Sequence, residues 1–405
     1  MIFCISNGLV INPATSTFSV QDLWIEDGKI IEYASRIKDY SQASQEIYYF
    51  DATDKWVVPG LIDLHVHFRE PGFTHKETIE TGCSAARSGG FTTVCCMPNT
   101  NPVVDNGAAV RYITRLAERT SDVRVLPIGA ITKGQKGKTL SDISDMALSG
   151  ICAISEDGQT VRDEELMRQA MAVAVSLNLP VFSHAEPEEV IVERDIRLAE
   201  ETGARLHFCH ISTKGSVELI RAAKAKGLTI TAETAPHYFA LDDSRHAEYD
   251  ANKKMNPPLR TIENMEAIRQ ALKEGIIDAI ATDHAPHQEW EKALPYEDAP
   301  FGVIGLETSF AVSFTTLVKT GILTPMELID KMSTQPAKIA GISGGDIGIG
   351  KPADITILDV KTFYKISALS FMSKSRNTPF NGMAVYGKSV AVILNGKLHK
   401  EALND

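Results

Sequence analysis

The sequence predicts an α/β protein whose main part is a (β/α)₈ TIM barrel, joined to a small β domain formed from both ends of the chain. Three observations support this fold class. Short apolar runs alternate with amphipathic helical patterns through the middle of the 405-residue chain, as in a parallel sheet covered by helices. Eight such runs match the strand number of a closed barrel. Both ends of the chain instead carry β-rich runs with hairpin turns.

The barrel strands are predicted from short apolar runs bounded by polar or turn residues. In chain order they are Leu61–His67, Phe91–Met97, Val123–Ile131, Cys152–Asp157, Pro180–Ala185, Arg205–Ser212, Leu228–Thr234 and Asp278–Ala285. Apolar residues at helical spacing lie between them. The clearest helix candidates are Lys76–Ser88, Asp163–Asn178, Glu188–Thr202, Gly215–Lys226 and Ile262–Glu274.

The small β domain is predicted from the two ends of the chain. Leu23–Ala34 has an Asp-Gly turn between two β-rich arms, and Val390–His399 has an Asn-Gly turn in the same position. These dipeptides are the strongest short hairpin signals. Ala353–Asp359 adds a further strand. We therefore predict a β domain of residues 1–58 and 345–405 and a barrel of residues 59–344.

Composition excludes several classes of function. The net charge of −11 argues against a nucleic-acid partner, which would require a basic face. The start MIFCISNGLV has no basic flank or small-residue cleavage site, so it predicts a strand rather than a signal peptide. No apolar run reaches the length of a membrane span. The six cysteines lack C-x-x-C spacing, which predicts reduced thiols in a cytoplasmic protein without a membrane partner.

Six polar residues fall at the carboxyl ends of the predicted strands, the face on which barrel enzymes keep their active sites. They are His65, His67, Asp157, His184, His210 and Asp283. The two-residue spacing of His65 and His67 directs both imidazoles to one face of the strand. Nitrogen and oxygen ligands without cysteine suit Zn²⁺ with an open coordination position. Mn²⁺, Co²⁺ and Fe²⁺ are chemically compatible alternatives.

Each of these residues has an ordinary structural interpretation when taken alone. A single histidine near a strand end is usually a satisfied polar group. Asp157 precedes glycine, which is turn chemistry, and Asp283 could cap a helix. Their joint placement on one rim of the barrel is what favours a metal centre.

A second set of polar residues follows the same strand ends. Arg69 and His287 follow the first and eighth strands, Asn99 the second and Asn256 the seventh. Arginine is the planar donor suited to a carboxylate, and the other three side chains can add hydrogen bonds. For the two asparagines, which neighbour prolines, an ordinary turn is an equal interpretation. His237 is a candidate for a supporting position and is not assigned as a ligand.

Five motifs together resemble the dihydroorotases of the amidohydrolase superfamily. They are Asp63-Leu-His-Val-His-Phe-Arg69-Glu-Pro-Gly72, Met97-Pro-Asn-Thr100, His210-Ile-Ser-Thr213, Asn256-Pro-Pro-Leu-Arg260 and Ala281-Thr-Asp-His-Ala-Pro-His287. The resemblance extends from the first predicted strand to Thr378-Pro-Phe380. The His-x-His pair is common to the superfamily, whereas the Arg69, Asn99 and Asp283–His287 segments are narrower.

The resemblance implies a role for each site residue. The six polar residues at the strand ends would hold one or two zinc ions. Arg69, Asn99 and His287 would bind the substrate carboxylate, and Asn256 the substrate ring. The implied reaction is reversible closure of N-carbamoyl-L-aspartate to L-dihydroorotate plus water, a step of pyrimidine synthesis. Asp283 would be the catalytic residue that moves the proton.

The sequence departs from common patterns of the superfamily at three places. Asp157 occupies the position where many members have a carboxylated lysine, as in one branch of dihydroorotases. The connection after His184 is short and acidic, and Tyr238 stands where many relatives have a second histidine. The first departure leaves the number of zinc ions open.

Two alternative functions were weighed. A hydantoinase, dihydropyrimidinase or allantoinase acts on substrates without the ring carboxylate, which would leave Arg69 and His287 without an anion. A catalytically inactive barrel that serves as an assembly partner would be expected to lose metal ligands, and here all six are filled.

Candidate protein partners are a second copy of the chain and an aspartate carbamoyltransferase. The segment Gln288–Phe301 is a candidate cover for the substrate.

Overall fold

The computed structural model describes residues 2–34, 47–245 and 250–400. The parts of the predicted β domain at residues 1, 35–46 and 401–405 lie outside the described residues. The strands are β1 Ile2–Asn12, β2 Thr17–Glu26, β3 Lys29–Ala34, β4 Ile47–Asp51, β5 Trp56–Pro59, β6 Leu61–Val66, β7 Phe91–Cys96, β8 Arg124–Pro127, β9 Gly129–Ala130, β10 Ile154–Ser155, β11 Val181–Ser183, β12 Leu206–Phe208, β13 Ile230–Thr234, β14 Ala279–Ile280, β15 Ile355–Lys365, β16 Ala384–Leu394 and β17 Lys397–Lys400.

The helices lie mainly between the strands of the central region. They are α1 Ile79–Ser88, α2 Gly107–Thr120, α3 Ile143–Leu148, α4 Glu164–Ser176, α5 Glu188–Thr202, α6 Lys214–Ala225, α7 Pro236–Ala240, α8 Ile262–Lys273, α9 Glu289–Lys292, α10 Ser309–Ser313, α11 Pro325–Ile329 and α12 Gln335–Ala340. Side chains at the N-caps fix several starts: Thr78, Asp163 and Thr213 each accept a hydrogen bond from a backbone N–H three residues later. Within the described residues, no helix is long and apolar enough to cross a membrane.

One sheet combines strands from both ends of the chain. Its order is β17-β16-β15-β5-β1-β2-β3, and β4 pairs with β1. The antiparallel pairing of β5 with β15 joins the two ends, with Val57 opposite Ile357. Both predicted hairpins are present, as β2–β3 and β16–β17. The β unit assembled from both ends of the chain is therefore confirmed, while its boundaries at residues 58 and 345 stay a prediction.

The eight predicted barrel strands lie side by side in parallel. β6, β7 and β8 form one run, and β9 to β14 form a second. β8 and β9 are two parts of the single predicted strand Val123–Ile131, interrupted at Ile128. A parallel bridge joins Val66 to His284, and the backbone N–H of His67 donates to the His284 carbonyl at 2.8 Å. The first and eighth strands are therefore neighbours, as a (β/α)₈ barrel requires.

The barrel strands contribute to two apolar clusters, one of which contains Phe91 and Phe208 and the other Phe182. Phe91, Phe182 and Phe208 are fully buried on three different strands. Burial of one such side chain contributes about 1.5–3 kcal/mol. The polar residues that follow these strands therefore lie on a rim above packed apolar side chains.

Candidate active site

The six predicted metal ligands meet at the carboxyl ends of the barrel strands. His65 lies in β6, whereas the other five residues were predicted within strands and lie one to three residues beyond the ends of the shorter observed ones. His210 and Asp283 have positive φ angles of 38° and 49°, and Arg69 one of 63°. Non-glycine residues adopt this region rarely, and such strained positions cluster at functional sites. The backbone here directs side chains into the barrel mouth at a conformational cost.

Distances between the ligand atoms define one compact cluster. Nε2 of His65 lies 3.2 Å from Oδ1 of Asp157 and 3.5 Å from Oδ1 of Asp283. Nε2 of His67 lies 3.4 Å from the other oxygen of Asp157 and 3.1 Å from Oδ1 of Asp283. Nδ1 of His184 lies 2.8 Å from Nε2 of His210 and 3.4 Å from Asp157. Asp157 therefore stands between two pairs of imidazoles, and Asp283 contacts the His65 and His67 pair.

The electrostatics of the cluster favour ionised carboxylates. Burial opposes the charge on Asp157, but positive charge on His65 and hydrogen bonds from His184 and His210 hold its pKa well below the usual range. Burial likewise opposes the charge on Asp283, and His65 and His67 outweigh it to lower that pKa. Both oxygens of each group are thus available as anionic ligands.

The donor set fits a divalent metal ion. Nε2 of His65 and Oδ1 of Asp157 are buried, and neither has a well-aligned hydrogen-bond partner among the described residues. Buried polar atoms without partners are rare unless an ion or water completes them. His65, Asp157 and His210 form one group whose ligand atoms lie within 4.8 Å of one another, and His65, His67 and Asp283 form another. A third group contains Cys209, but burial raises the pKa of that thiol to about 12, which disfavours the thiolate a metal needs.

The residues that orient His65 were not predicted from the sequence. Oε1 of Glu233, on β13, lies 3.0 Å from Nδ1 of His65, and Oε2 lies 3.1 Å from Nε2 of His207. Oδ1 of Asp63 accepts from the backbone N–H groups of His65 and Thr282. The available signal was a charged residue inside a predicted barrel strand, because buried charged residues are seldom unpaired.

The predicted substrate-binding residues line a cavity of about 400 Å³ above the metal ligands. Arg69, Asn99, Asn256 and His287 all contribute to its wall. Oδ1 of Asn99 also lies 2.8 Å from Nδ1 of His67. Asn99 therefore touches the metal cluster as well as the cavity, a contact that the sequence did not predict.

One wall of the cavity carries the positive charge of Arg69. Nη2 of Arg69 lies 3.3 Å from Nε2 of His287, and Nζ of Lys76 lies 3.2 Å from Nδ1 of the same ring. Burial, together with the charges of Arg69, Lys76 and Lys292, lowers the pKa of His287 to about 2. His287 is therefore neutral, and the guanidinium beside it has no carboxylate within salt-bridge distance among the described residues. This wall is suited to an anion.

Two glycines allow close packing around these side chains. Gly158 has a φ of +80°, and a Cβ there would lie 3.1 Å from the amide nitrogen of Asn99. Gly302 has a φ of +133°, and a Cβ there would lie 2.9 Å from Ala285 and 3.1 Å from Cδ2 of His287. A larger residue at either position would displace a predicted substrate-binding side chain.

Part of the predicted cover lines the cavity. Pro300 and Phe301 contribute to its wall, and two buried lysines hold the segment. Nζ of Lys292 donates to the Pro300 carbonyl at 2.8 Å, and Nζ of Lys254 donates to the Tyr296 and Glu297 carbonyls. Coverage of a bound substrate by Gln288–Phe301 stays a prediction.

His237 lies outside both groups of residues. It is buried, its Nε2 has no hydrogen-bond partner in the described part of the chain, and burial lowers its pKa to about 4. It is not part of the cavity wall. The residue is neutral, and its role is left unassigned.

The chain is similar in sequence to known proteins over nearly its whole length. Residues 56–399 match the model of the amidohydrolase family. A dihydroorotase from Pelotomaculum thermopropionicum is 45% identical, with 98% of each chain covered. A dihydroorotase from Geobacter metallireducens is 44% identical, covering 98% of this chain and 99% of the relative.

Solved structures share the fold. An L-hydantoinase (dihydropyrimidinase) from Arthrobacter aurescens superposes with a TM-score of 0.90 at 24% identity, covering 98% of this chain and 96% of the other. A dihydropyrimidinase from Brevibacillus agri gives a TM-score of 0.87 at 23% identity, covering 98% and 95%. At these identities the likeness concerns the fold, and it agrees with the predicted barrel and its strand-rich terminal domain.

Proposed function

The chain belongs to the amidohydrolase family, and on that premise we propose that it is a dihydroorotase, which interconverts N-carbamoyl-L-aspartate and L-dihydroorotate plus water in pyrimidine synthesis. The observation that carries this proposal is the cationic wall of Arg69 and His287 directly above a His/Asp metal cluster. A cyclic amide that bears a carboxylate matches both features. The identity of 45% to a dihydroorotase over nearly the whole chain supports the same activity.

We assign six residues to a zinc centre of one or two ions. They are His65, His67, Asp157, His184, His210 and Asp283. The division of the cluster into two ligand groups that share His65 supports this assignment. When bound, zinc acidifies a water molecule to near-neutral pKa and polarises the amide carbonyl. The protein contributes the fixed orientation of the ligands, including the Glu233 contact that directs Nε2 of His65 inward.

The substrate carboxylate is bound by Arg69, Asn99 and His287, and the ring by Asn256. All four line the cavity, and Arg69 supplies a planar donor for a carboxylate. Binding at this wall fixes the ring so that its amide carbonyl faces the metal cluster. Positioning of that kind removes much of the entropic cost of the reaction.

Asp283 moves the proton. Its carboxylate is ionised and lies 3.1 Å from Nε2 of His67 at the mouth of the barrel. In ring opening it accepts the proton of the attacking water and delivers it to the departing ring nitrogen. In ring closure, the reverse step, it accepts the proton that the attacking ureido nitrogen loses and delivers it to the departing carboxylate oxygen, which a second proton from solvent converts to water.

A hydantoinase or dihydropyrimidinase activity is the second candidate, favoured only by the structural likeness to those enzymes. Their substrates carry no carboxylate on the ring. Arg69 would then remain buried beside a neutral His287 without an anion, at a desolvation cost. The inactive assembly partner is disfavoured because all six ligands are present.

Turnover assays distinguish these functions. The zinc-loaded protein is offered L-dihydroorotate and N-carbamoyl-L-aspartate, with dihydrouracil, hydantoin and allantoin at matched concentrations. We expect turnover of the first two, in both directions, and little turnover of the uncharged rings. Preference for an uncharged ring would contradict the proposal, and absence of all activity with zinc bound would favour the inactive barrel.

The remaining predictions concern the domain boundaries, the cellular location and the assembly of the protein. The domain division at residues 58 and 345, the cytoplasmic location, a homodimer and an association with aspartate carbamoyltransferase stay predictions. Size-exclusion chromatography with light scattering, alone and with an aspartate carbamoyltransferase, tests the last two.

A further inference from the structure

Lys76 stands behind the cationic wall of the cavity. It lies between β6 and α1, and its side chain is 15% exposed. Its Nζ lies 2.8 Å from Oε1 of Glu291 and 3.2 Å from Nδ1 of His287, and 5.6 Å from the centre of the Phe73 ring. The lysine does not itself line the cavity. Its contact with the site passes through His287.

An ammonium group can only donate hydrogen bonds. Nδ1 of His287 must therefore act as the acceptor if the contact with Lys76 is a hydrogen bond. A neutral imidazole carries one N–H, so the proton then resides on Nε2. Lys76, on the far side of the ring from the cavity, thus favours the tautomer of His287 with its proton on Nε2.

The other tautomer would let Nε2 accept a hydrogen bond from Arg69, which also can only donate, but it leaves the proton on Nδ1 poorly placed. A proton on Nδ1 would face the Lys76 ammonium at 3.2 Å, and the nearest carboxylate oxygen, Oε2 of Glu291, lies 3.6 Å away. That distance is beyond a normal hydrogen bond. Glu291 is also already engaged by Lys76 and by the backbone N–H of Gln288.

The tautomer with the proton on Nε2 creates a pair of donors. Nη2 of Arg69 is 3.3 Å from Nε2 of His287, so in this tautomer the two N–H groups stand side by side, and an anion bound at both would satisfy them. A carboxylate supplies acceptors for both. Arg69 is held in place by the bond from its Nε to the Pro286 carbonyl at 3.2 Å, and His287 by the bond from its backbone N–H to Asn377 at 3.1 Å.

We propose that Lys76 is a positioning residue that holds the proton of His287 on Nε2, so that His287 and Arg69 present paired donors to the substrate carboxylate. This inference rests on the proposed function for the identity of the anion. It assigns to Lys76 a part in substrate specificity that the sequence analysis did not foresee.

The test combines nitrogen NMR of the zinc-loaded enzyme with steady-state kinetics. The protein is labelled with ¹⁵N in its histidine rings, and the His287 signals are assigned by comparison with His287→Asn. The variants are Lys76→Met, Lys76→Arg and, as a matched control, Lys374→Met. Lys374 donates to the Thr74 carbonyl at 2.6 Å and so holds the same segment without touching His287.

In the wild type we expect an unprotonated Nδ1 and a protonated Nε2 on His287, with or without dihydroorotate. Lys76→Met should shift the proton toward Nδ1 and raise KM roughly tenfold to a hundredfold with a smaller change in kcat, as expected for one lost hydrogen bond to a binding group. Lys76→Arg, which also only donates, should restore the wild-type tautomer. Lys374→Met should leave both the tautomer and KM unchanged.

A proton on Nδ1 of His287 in the wild type would overturn the inference, as would an unchanged KM in Lys76→Met. An equal rise of KM in Lys374→Met would also overturn it, since loosening of the segment would then explain the effect. If Lys76→Met does not fold, the wild-type and Lys76→Arg spectra still show which ring nitrogen of His287 carries the proton. The spectrum without substrate needs no turnover, so failure of the proposed function appears separately as a lack of activity in the wild type.

Discussion

Glu233 accepts a hydrogen bond from Nδ1 of His65 across 3.0 Å. Hydrogen bonds from His207 and His65 lower the pKa of this buried glutamate to about 2 against the effect of burial, so it is ionised and can only accept. Nδ1 of His65 therefore carries a proton, and Nε2, which faces Asp157 and Asp283, is the nitrogen that would bind a metal ion. A carboxylate that orients a ligating histidine raises its basicity and fixes its tautomer.

Glu233→Gln is expected to weaken metal binding by about 10–100-fold, because a neutral amide is a poorer partner for the proton on Nδ1 of His65. Competition with a chromophoric chelator measures the change. Glu156→Gln is the matched control: Glu156 is also a buried carboxylate of the barrel, but it accepts from Thr132 rather than from a metal ligand. Equal loss of affinity in both variants would mean that Glu233 acts through general stability.

Removal of the metal is expected to abolish activity. The ligands are imidazoles and carboxylates that a chelator can outcompete, and Zn²⁺ should restore turnover. Elemental analysis of the reactivated protein should give one or two zinc ions per chain. Full activity in a preparation shown to be free of metal would contradict the assigned centre.

The sequence predicted the rim of the barrel well because strand ends are local features. An apolar run that stops at His184 or Asp157 reveals both the strand and the polar residue after it. The partner of His65 could not be predicted in the same way, because the contact with Glu233 joins residues 168 positions apart. The positive φ angle of Asp283 is also set by tertiary packing, since no local pattern favours that conformation for aspartate beside threonine.

The role of Lys76 beside the substrate cavity was not predicted from the sequence. Arg69 and His287 follow strands and were found, whereas Lys76 was included only as the first residue of a predicted helix. The helix begins later, at Ile79, because Thr78 caps it. Lys76 is thereby left in the preceding loop, where its side chain can reach His287.

Arg69→Met is expected to leave metal content near normal while weakening binding of N-carbamoyl-L-aspartate by roughly 2–5 kcal/mol, which is the usual loss for a desolvated charge pair. KM and direct binding of dihydroorotate measure the effect. Arg111→Met, on the exposed side of α2, makes the same change in net charge far from the cavity. Normal turnover of N-carbamoyl-L-aspartate by Arg69→Met would favour the hydantoinase alternative.

Lys292 gives a prediction for the pH dependence of stability. Burial, reinforced by Lys254, lowers its pKa to about 7, whereas the unfolded chain keeps the ordinary value near 10.5. Between these values the unfolded state binds more protons, so the free energy of unfolding rises with pH by at most about 1.4 kcal/mol per unit. Below pH 7 this contribution to the slope disappears because both states are protonated.

Denaturant unfolding at pH 6, 7, 8, 9 and 10 checks whether the free energy of unfolding rises with pH as expected. Lys292→Met should show a flatter rise in stability above pH 7 than the wild type, and an exposed control, Lys338→Met, should keep the wild-type slope. Since the wild-type profile contains many groups, the difference between the variants is the informative quantity. Parallel profiles for the wild type and Lys292→Met would mean that Lys292 remains protonated in the folded state.

Asp283→Asn tests the proton transfer directly. The amide keeps the shape of the side chain and one oxygen for the metal, so the variant should retain most of its zinc and bind dihydroorotate. It cannot accept or deliver the proton, and turnover should fall about 10²–10⁴-fold. Ring opening and ring closure must fall together, because the same group carries the same proton between oxygen and nitrogen in both directions.

The control for this variant is Asp278→Asn, at the opposite end of the same predicted strand. Asp278 accepts hydrogen bonds from Lys224 at 2.6 and 2.7 Å and from the Ala232 N–H at 2.8 Å, so its loss should lower stability without slowing the reaction. Rates in both directions are measured with the zinc content of each preparation. If Asp283→Asn slows only one direction, or keeps wild-type rates in both, a different group carries the proton. If the two variants slow turnover alike, the effect on rate reflects loosening of the eighth strand rather than loss of a proton carrier.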